Sequence, residues 1–223
     1  MLKKLSRLKF MPAFISTLIF LLILIEICIG NQKIDYLISS QMVNSWGMVS
    51  SQIPLLNEIF VFLGHYFWSI LIGIALIAIF ILYIQKRKKE SLILLSALIL
   101  GYVLEQVIKF VIQRPRPTQQ LIQEVGYSFP SGHSIFAIIL FSLLIYFYKD
   151  RIKNSLLKII FISINVFLIL LVGLSRIYIN VHWFSDVIGG YATGFFVVYL
   201  ISWIFESGKQ KIFKNMILKT KTL

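Results

Sequence analysis

The 223-residue sequence holds a single cysteine, Cys28, only three histidines and nine acidic residues. One cysteine cannot close an intrachain disulfide or build a cysteine-based metal site, and Cys28 lies inside an apolar run, so it says nothing of the redox compartment. Three histidines and scattered acids show no converging ligand spacing, and neither a metal nor a cofactor is expected. No internal repeat, low-complexity segment or dividing linker is present, so residues 1–223 are expected to form one domain. Polar composition is scarce too: 58% of residues are hydrophobic and mean hydropathy is +0.86, which excludes an ordinary soluble domain and places the chain in a bilayer.

Six apolar runs approach the roughly 20 residues that cross a hydrocarbon core. They cover 10–30, 65–84, 91–112, 133–148, 156–174 and 187–205, the fourth being the shortest. The first follows Lys3, Lys4, Arg7 and Lys9 as a signal peptide would, but it is long and Ile29-Gly30-Asn31 is a poor cleavage site, so it reads as a retained anchor. The expected fold is therefore an all-α integral membrane bundle of six transmembrane helices with both termini cytoplasmic. The connection 31–64, with Trp46, Pro54 and scattered Ile, Leu and Phe, suits short helices at the headgroup level with a structural role.

The formal charge of +13 would suit a nucleic-acid partner on a soluble protein, so the positions of the 22 Lys and Arg residues matter. Seventeen of them sit at the N-terminus (Lys3, Lys4, Arg7, Lys9), in the second-to-third connection (Lys86 to Lys89), in the fourth-to-fifth (Lys149, Arg151, Lys153, Lys158) and in the tail (Lys209, Lys211, Lys214, Lys219, Lys221). These are alternate connections, which the positive-inside rule makes cytoplasmic; anionic lipid, not nucleic acid, accounts for the excess. Lys33, Lys109, Arg114, Arg116 and Arg176 remain, all toward the opposite face. Topology prefers that face poor in cations, so these five call for a functional reason.

Three short segments meet that face. In Lys109-Phe-Val-Ile-Gln-Arg-Pro-Arg116-Pro117, the prolines end a helix, and Lys109 and Arg116 can reach one anion; alternatively Lys109 snorkels and Arg116 pairs with lipid phosphate. Pro130-Ser131-Gly132-His133 precedes the fourth run, where a helix N-terminus with Ser131 and Gly132 can cradle phosphate facing His133, or Ser131 can be a plain N-cap. In the third, Ser175-Arg176 is followed by His182 and Asp186, whose spacing of four suits contact on one helix face. An aspartate holding the Nδ1 proton leaves Nε2 unprotonated, as a nucleophile requires; alternatively Asp186 is a first-turn acid favouring the helix dipole and His182 an interfacial residue beside Trp183. Together, three cations, a helix N-terminus, two imidazoles and one orienting carboxylate form the inventory for metal-free phosphoryl transfer.

These segments resemble the tripartite signature of the type 2 phosphatidic acid phosphatase family, which includes phosphatidylglycerophosphate and undecaprenyl diphosphate phosphatases: Lys, six residues, Arg-Pro; Pro-Ser-Gly-His; and Ser-Arg, five residues, His, three residues, Asp. Lys109 with Arg116-Pro117, Pro130 to His133, and Ser175-Arg176 with His182 and Asp186 fit every spacing. The resemblance implies that His182 attacks phosphorus, that Asp186 orients it, and that His133 protonates the leaving oxygen. It implies that Lys109, Arg116, Ser131, Gly132 and Arg176 bind the phosphate. His182 is then expected neutral and His133 protonated in the free enzyme, giving a bell-shaped pH profile. The implied substrate is a membrane lipid phosphomonoester or diphosphate (undecaprenyl diphosphate, phosphatidylglycerophosphate or phosphatidate), hydrolysed outside the cytoplasm. A soluble phosphate ester, or a non-catalytic lipid-phosphate binder or transporter on the same scaffold, is the alternative.

Other residues carry weaker readings. Glu105, one turn before Lys109, fits an ion pair with it, while Glu26 in the first run is unexplained. Gly190 and Gly194 suit close helix packing, and Tyr127 and Phe129 suit anchoring in an aromatic belt.

Overall fold

The computed structural model describes residues 2–30 and 32–220, with side chains at 11, 13–30, 32–64 and 66–205. The basic residues before position 10 and beyond 205 therefore have no described side chains, nor has His65. The described residues are all-helical, without a strand, in seven helices: α1 Leu2–Ile29, α2 Lys33–Gln52, α3 Pro54–Ile84, α4 Lys88–Ile112, α5 Gly132–Tyr148, α6 Ser155–Tyr178 and α7 Phe184–Thr220.

Four stretches are long and apolar enough to cross a membrane: Tyr66–Ile84, Lys88–Ile112, Ser155–Tyr178 and Phe184–Phe205. Ala13–Ile29 meets that standard only together with Lys33–Gln52, from which it is bent by 86°. The fourth expected run is α5, 17 residues long. At ~1.5 Å per residue it spans ~26 Å, a little short of the hydrocarbon core. Its surroundings explain its composition. Ile135, Ile138, Ile139, Leu140 and Leu143 are all buried in the main core, so α5 is apolar around its girth because it meets protein, not lipid, on most sides.

Lipid tails offer helices no hydrophobic reason to associate, so close backbone approach has to supply the contact. It does so between α5 and α7. A Cβ at Gly190 would stand 2.7 Å from the Ser131 carbonyl oxygen, and one at Gly194 would stand 2.9 Å from that of Ile135. The Ser131 amide also donates to the Asp186 carbonyl at 3.0 Å. The second and third sequence segments are thereby locked together at one end of the bundle.

The first segment joins them through the end of α4. Gln113 adopts a left-handed φ of 50° that stops the helix ahead of Pro115 and Pro117. The Ser128 amide then donates back to the Arg114 carbonyl at 2.9 Å, closing the loop over the same end.

Two expectations change. The connection 31–64 is one 20-residue helix plus the start of α3, not a set of short helices. It docks on the site loops: Trp46 Nε1 donates to the Tyr178 carbonyl at 2.9 Å, and Phe60 stacks on Tyr178 at 4.4 Å. It also delivers a buried carboxylate, Asp35. Phe129 is not an aromatic anchor; it is fully buried, 5.8 Å from the Phe20 ring, where a side chain at Gly189 would meet it.

Candidate active site

His182 lies in the short connection between α6 and α7, and Asp186 in the first turn of α7. Asp186 Oδ2 accepts the Trp183 backbone amide at 2.8 Å, the reach of an acid at the third helical position back to the N-cap, while Oδ1 accepts from Arg114 Nη1 at 2.6 Å. The two readings of Asp186 are thus compatible: it caps α7 and it faces His182, with Oδ2 3.5 Å from Nδ1. Nδ1 makes no hydrogen bond at that distance and angle, so the pair closes only if the ring turns slightly, as hydrogen bonds in unliganded sites often must. Burial, reinforced by Arg116, holds the His182 imidazole well below its ordinary 6.5, with Glu124 partly opposing. A ring so placed is neutral at physiological pH. Its Nε2 faces Arg116 Nη1 at 3.3 Å, and because guanidinium only donates, Nε2 presents its lone pair.

Arg116 is fixed by bonds to the Val181 carbonyl (2.7 Å) and the Gly126 carbonyl (3.2 Å). Arg176, on the last turn of α6, is wholly buried and reaches the Gly64 carbonyl at 3.2 Å. Between these two guanidiniums sits the Glu124 carboxylate, one oxygen 3.1 Å from Arg116 and the other 3.0 Å from Arg176. The second imidazole completes the row: Arg176 Nη1 is 3.4 Å from His133 Nε2, and the His133 ring lies edge-on to Trp68 at 4.9 Å. The contacts run from His182 through Arg116, Glu124 and Arg176 to His133, so both histidines border one anion position. The expectation that His133 carries a proton in the free enzyme does not fit this arrangement. Its Nε2 faces a guanidinium, which can only donate, so that nitrogen is the acceptor there.

Ser131 occupies the N-cap position of α5 without a capping side-chain bond; its Oγ accepts from Ser134 Oγ at 3.1 Å. Gly132 lies against the Glu105 carboxylate, which a Cβ there would strike. Glu105 in turn accepts from Lys109 Nζ at 2.7 Å, the expected ion pair, with both side chains largely buried. All eight residues singled out for the site thus collect at one end of the bundle. Of the five cations on that side, only Lys33 is exposed and outside the cluster.

Sequence reasoning passed over three participants. Glu124 is the carboxylate on the arginines. Asp35 and Arg114 form a buried ion pair at 2.6 Å behind Asp186. Arg114 stood out as a cation on the wrong side, but nothing in the spacing tied it to Asp186. Scarcity was the usable signal: four of the nine acids, Asp35, Glu105, Glu124 and Asp186, pair with these cations. Among the described residues no group of three or more His, Cys, Asp or Glu is arranged to hold a metal.

Residues 90–209 match the PAP2 superfamily, covering all three segments. The chain is 30% identical over 161 residues to phosphatidylglycerophosphatase B of Bacillus subtilis, across 70% of this chain and 79% of that one. It is 26% identical over 180 residues to an undecaprenyl-diphosphatase of Sulfolobus acidocaldarius, across 75% and 79%. The crystal structure of a transmembrane PAP2-type phosphatidylglycerolphosphate phosphatase from Bacillus subtilis superimposes with a TM-score of 0.67 at 27% identity, covering 86% of this chain and 96% of that one. With four to five helical stretches among the described residues long and apolar enough to cross a membrane, and its motif residues gathered at one end, this chain is a multi-pass membrane phosphatase belonging to the PAP2 superfamily.

Proposed function

We propose that the protein hydrolyses the terminal phosphate of a lipid phosphomonoester or diphosphate through a phosphohistidine on His182, at the extracytoplasmic face, as a single domain of six spans with both termini in the cytoplasm. The observation that carries this reading is the Glu124 carboxylate held between Arg116 and Arg176, bordered by both imidazoles. A planar anion in that position stands where a phosphate with two clamped oxygens would. The helix directions support the face: α4 and α6 start near basic connections and end at the site, whereas α5 starts at the site and ends near Lys149.

On phosphate binding, Arg116 and Arg176 transfer their bonds from Glu124 to non-bridging oxygens, with Lys109, the Ser131 hydroxyl and the Gly132 amide completing the cradle. His182 Nε2 attacks phosphorus and the bond to the leaving oxygen breaks. His133, freed from Arg176, takes a proton from solvent at Nε2 and passes it to that oxygen. Asp186 faces the Nδ1–H of the positively charged phosphoimidazole. A water oxygen then attacks the same phosphorus, His133 takes the water proton, the phosphorus–nitrogen bond breaks, and phosphate leaves with His182 free; His133 then releases its proton to solvent and returns to Arg176. No step calls for a metal ion.

A lipid substrate is supported by a groove of about 370 Å³ between α3, α4 and α5, lined by apolar residues such as Ile72, Leu98, Ile99 and Phe136 and ending at Glu105 and Gly132. An acyl or prenyl chain lying there brings its headgroup to the cradle. The relatives named for phosphatidylglycerophosphate and undecaprenyl diphosphate agree with either a mono- or a diphosphate. A soluble ester is the second reading, favoured by a polar cavity of about 500 Å³ beside Glu124 lined by Thr118, Gln119, Gln120 and Gln123. Purified protein in mixed micelles should release phosphate from phosphatidate or a polyprenyl diphosphate far faster than from a sugar phosphate. The reverse preference overturns the lipid assignment. His182→Ala should insert normally and release nothing; undiminished release would remove the phosphohistidine mechanism.

A further inference from the structure

Asp35 lies outside the matched family region, on a helix whose sequence suggests only interfacial packing, yet its carboxylate is among the most buried charged groups in the protein, 4% exposed. Its oxygens accept from Arg114 Nη2 at 2.6 Å, from Ser185 Oγ at 2.5 Å and from the Ser185 amide at 2.9 Å. Arg114 Nη2 also donates to Gln32 Oε1 at 3.0 Å, and Nη1 donates to Ser185 Oγ at 2.7 Å and to Asp186 Oδ1 at 2.6 Å. None of these contacts involves a phosphate-binding side chain. The guanidinium is 3% exposed and lies 5.5 Å over the Trp183 ring, which itself donates to the Pro115 carbonyl at 2.9 Å.

A buried ion pair is costly to assemble, and its presence here needs a reason beyond stability. Charge counting supplies one. Arg114 alone beside Asp186 would neutralise it and leave nothing to offset a positive ring on His182. A second carboxylate on the far side of the guanidinium restores one net negative charge to the cluster, and that charge faces the nucleophile. At the same time the Arg114 and Trp183 amide bonds occupy both oxygens of Asp186 and fix its plane, leaving Oδ2 directed at Nδ1.

We propose that Asp35 and Arg114 are positioning residues for the His182 nucleophile, acting through Asp186 as a carboxylate–guanidinium–carboxylate chain that sets both its orientation and its charge. The inference rests on His182 being the nucleophile. It assigns to α2 a part in the chemistry: this helix supplies the outer carboxylate that keeps Asp186 effective despite its arginine partner.

The test uses full-length protein in mixed micelles with phosphatidate, comparing wild type, Asp35→Asn, Asp186→Asn, the double variant and His182→Ala. Asp35→Asn should lower kcat by about 10- to 100-fold, the range seen when a supporting carboxylate behind a histidine is lost, while KM stays within about twofold because no phosphate contact is touched. In the Asp186→Asn background the same change should cost less than about twofold, since the path to His182 is already cut. The acid limb of the kcat/KM profile of Asp35→Asn should move to lower pH, because less negative charge near the ring disfavours its protonation. Equal losses in both backgrounds, a rise in KM without loss of kcat, or an unmoved acid limb would make Asp35 a structural pin and overturn the proposal. Should Asp35→Asn fail to fold, Arg114→Lys, which keeps the charge but not the two-sided bonding, takes its place with the same comparison against Asp186→Asn. Activity retained in His182→Ala would instead sink the mechanism itself, a different outcome from additive losses with His182→Ala inert.

Discussion

Replacing Glu124 with glutamine keeps its shape and removes its charge, which should weaken the empty site and favour the occupied one. The carboxylate is 3.1 Å from Arg116 and 3.0 Å from Arg176, and its side chain is 24% exposed against 8% and 0% for the arginines. Fully exposed ion pairs contribute about 0.2–1 kcal/mol, whereas breaking a fully buried one costs about 3–5 kcal/mol. A carboxylate with one wet side and two charge-assisted partners belongs between these limits, at about 1–2 kcal/mol. A substrate phosphate that takes over the same two arginines must overcome that amount. Removing it should therefore lower KM by about 5- to 30-fold, at ~1.4 kcal/mol per tenfold.

Two measurements check this reasoning from different sides. Inorganic phosphate should become a tighter competitive inhibitor of Glu124→Gln by a factor similar to the drop in KM. The free variant, with two buried guanidiniums facing each other uncompensated, should melt lower than wild type. Saturating phosphate should restore more of that loss than it adds to wild type, because binding to the folded state stabilises by RT ln(1 + L/Kd), which at a given phosphate concentration L is larger for the tighter-binding variant. If KM and the phosphate inhibition constant both rise, Glu124 stays in place during binding and orients the arginines, and the notion that it stands where phosphate stands is wrong.

Arg116→Lys and Arg176→Lys should each lower kcat/KM by at least about tenfold, because an ammonium cannot make the two parallel bonds that a planar fork makes to phosphate oxygens; full activity in both would undercut their place in the cradle. The depressed His182 value has a stability consequence: below the unfolded value near 6.5 the unfolded chain binds a proton that the folded chain refuses, so stability is complete above that pH and declines as pH falls toward the folded value. The melting temperature of wild type should accordingly drop more between pH 7 and pH 5 than that of His182→Asn, and equal drops would contradict a buried neutral imidazole. Gly132→Ala should cut activity sharply with little change in membrane insertion, since its methyl group strikes the Glu105 carboxylate at the mouth of the cradle; wild-type kinetics would show that this contact is slack. Vanadate, which adopts the five-coordinate geometry of phosphorus in transfer, should inhibit, whereas a chelator should leave turnover unchanged.

The legible parts of this site share a physical origin. Lys109, Arg116 and Arg176 stand out because the charge pattern along the chain assigns them to a face on which cations are disfavoured. His182 and Asp186 stood out because four residues is a contact distance on a helical face, although the histidine lies just before α7 and the aspartate within its first turn. The long helices were equally plain, since a membrane-crossing run is a one-dimensional property of sequence. The first and fourth expected runs are α1 and α5; α1 meets α2 at an 86° bend after Ile29, and α5 is short because it is enclosed by other helices.

What sequence spacing does not reveal is pairing across the chain. Asp35 and Ser185 are 150 positions apart, and Arg176 and Glu124 are 52 apart, with no period connecting them. Their relation is electrostatic. Four cations brought together at one end of a bundle would repel one another and lack hydrogen-bond acceptors, so a protein with only nine acids has to place several of them there. Asp35, Glu105, Glu124 and Asp186 are therefore the counter-charges of this cationic cluster. The one among them with substantial exposure and two arginine partners, Glu124, is also the one proposed to give way to phosphate. The buried ones stay, and the charge they retain around Asp186 is what the proposed phosphohistidine would require.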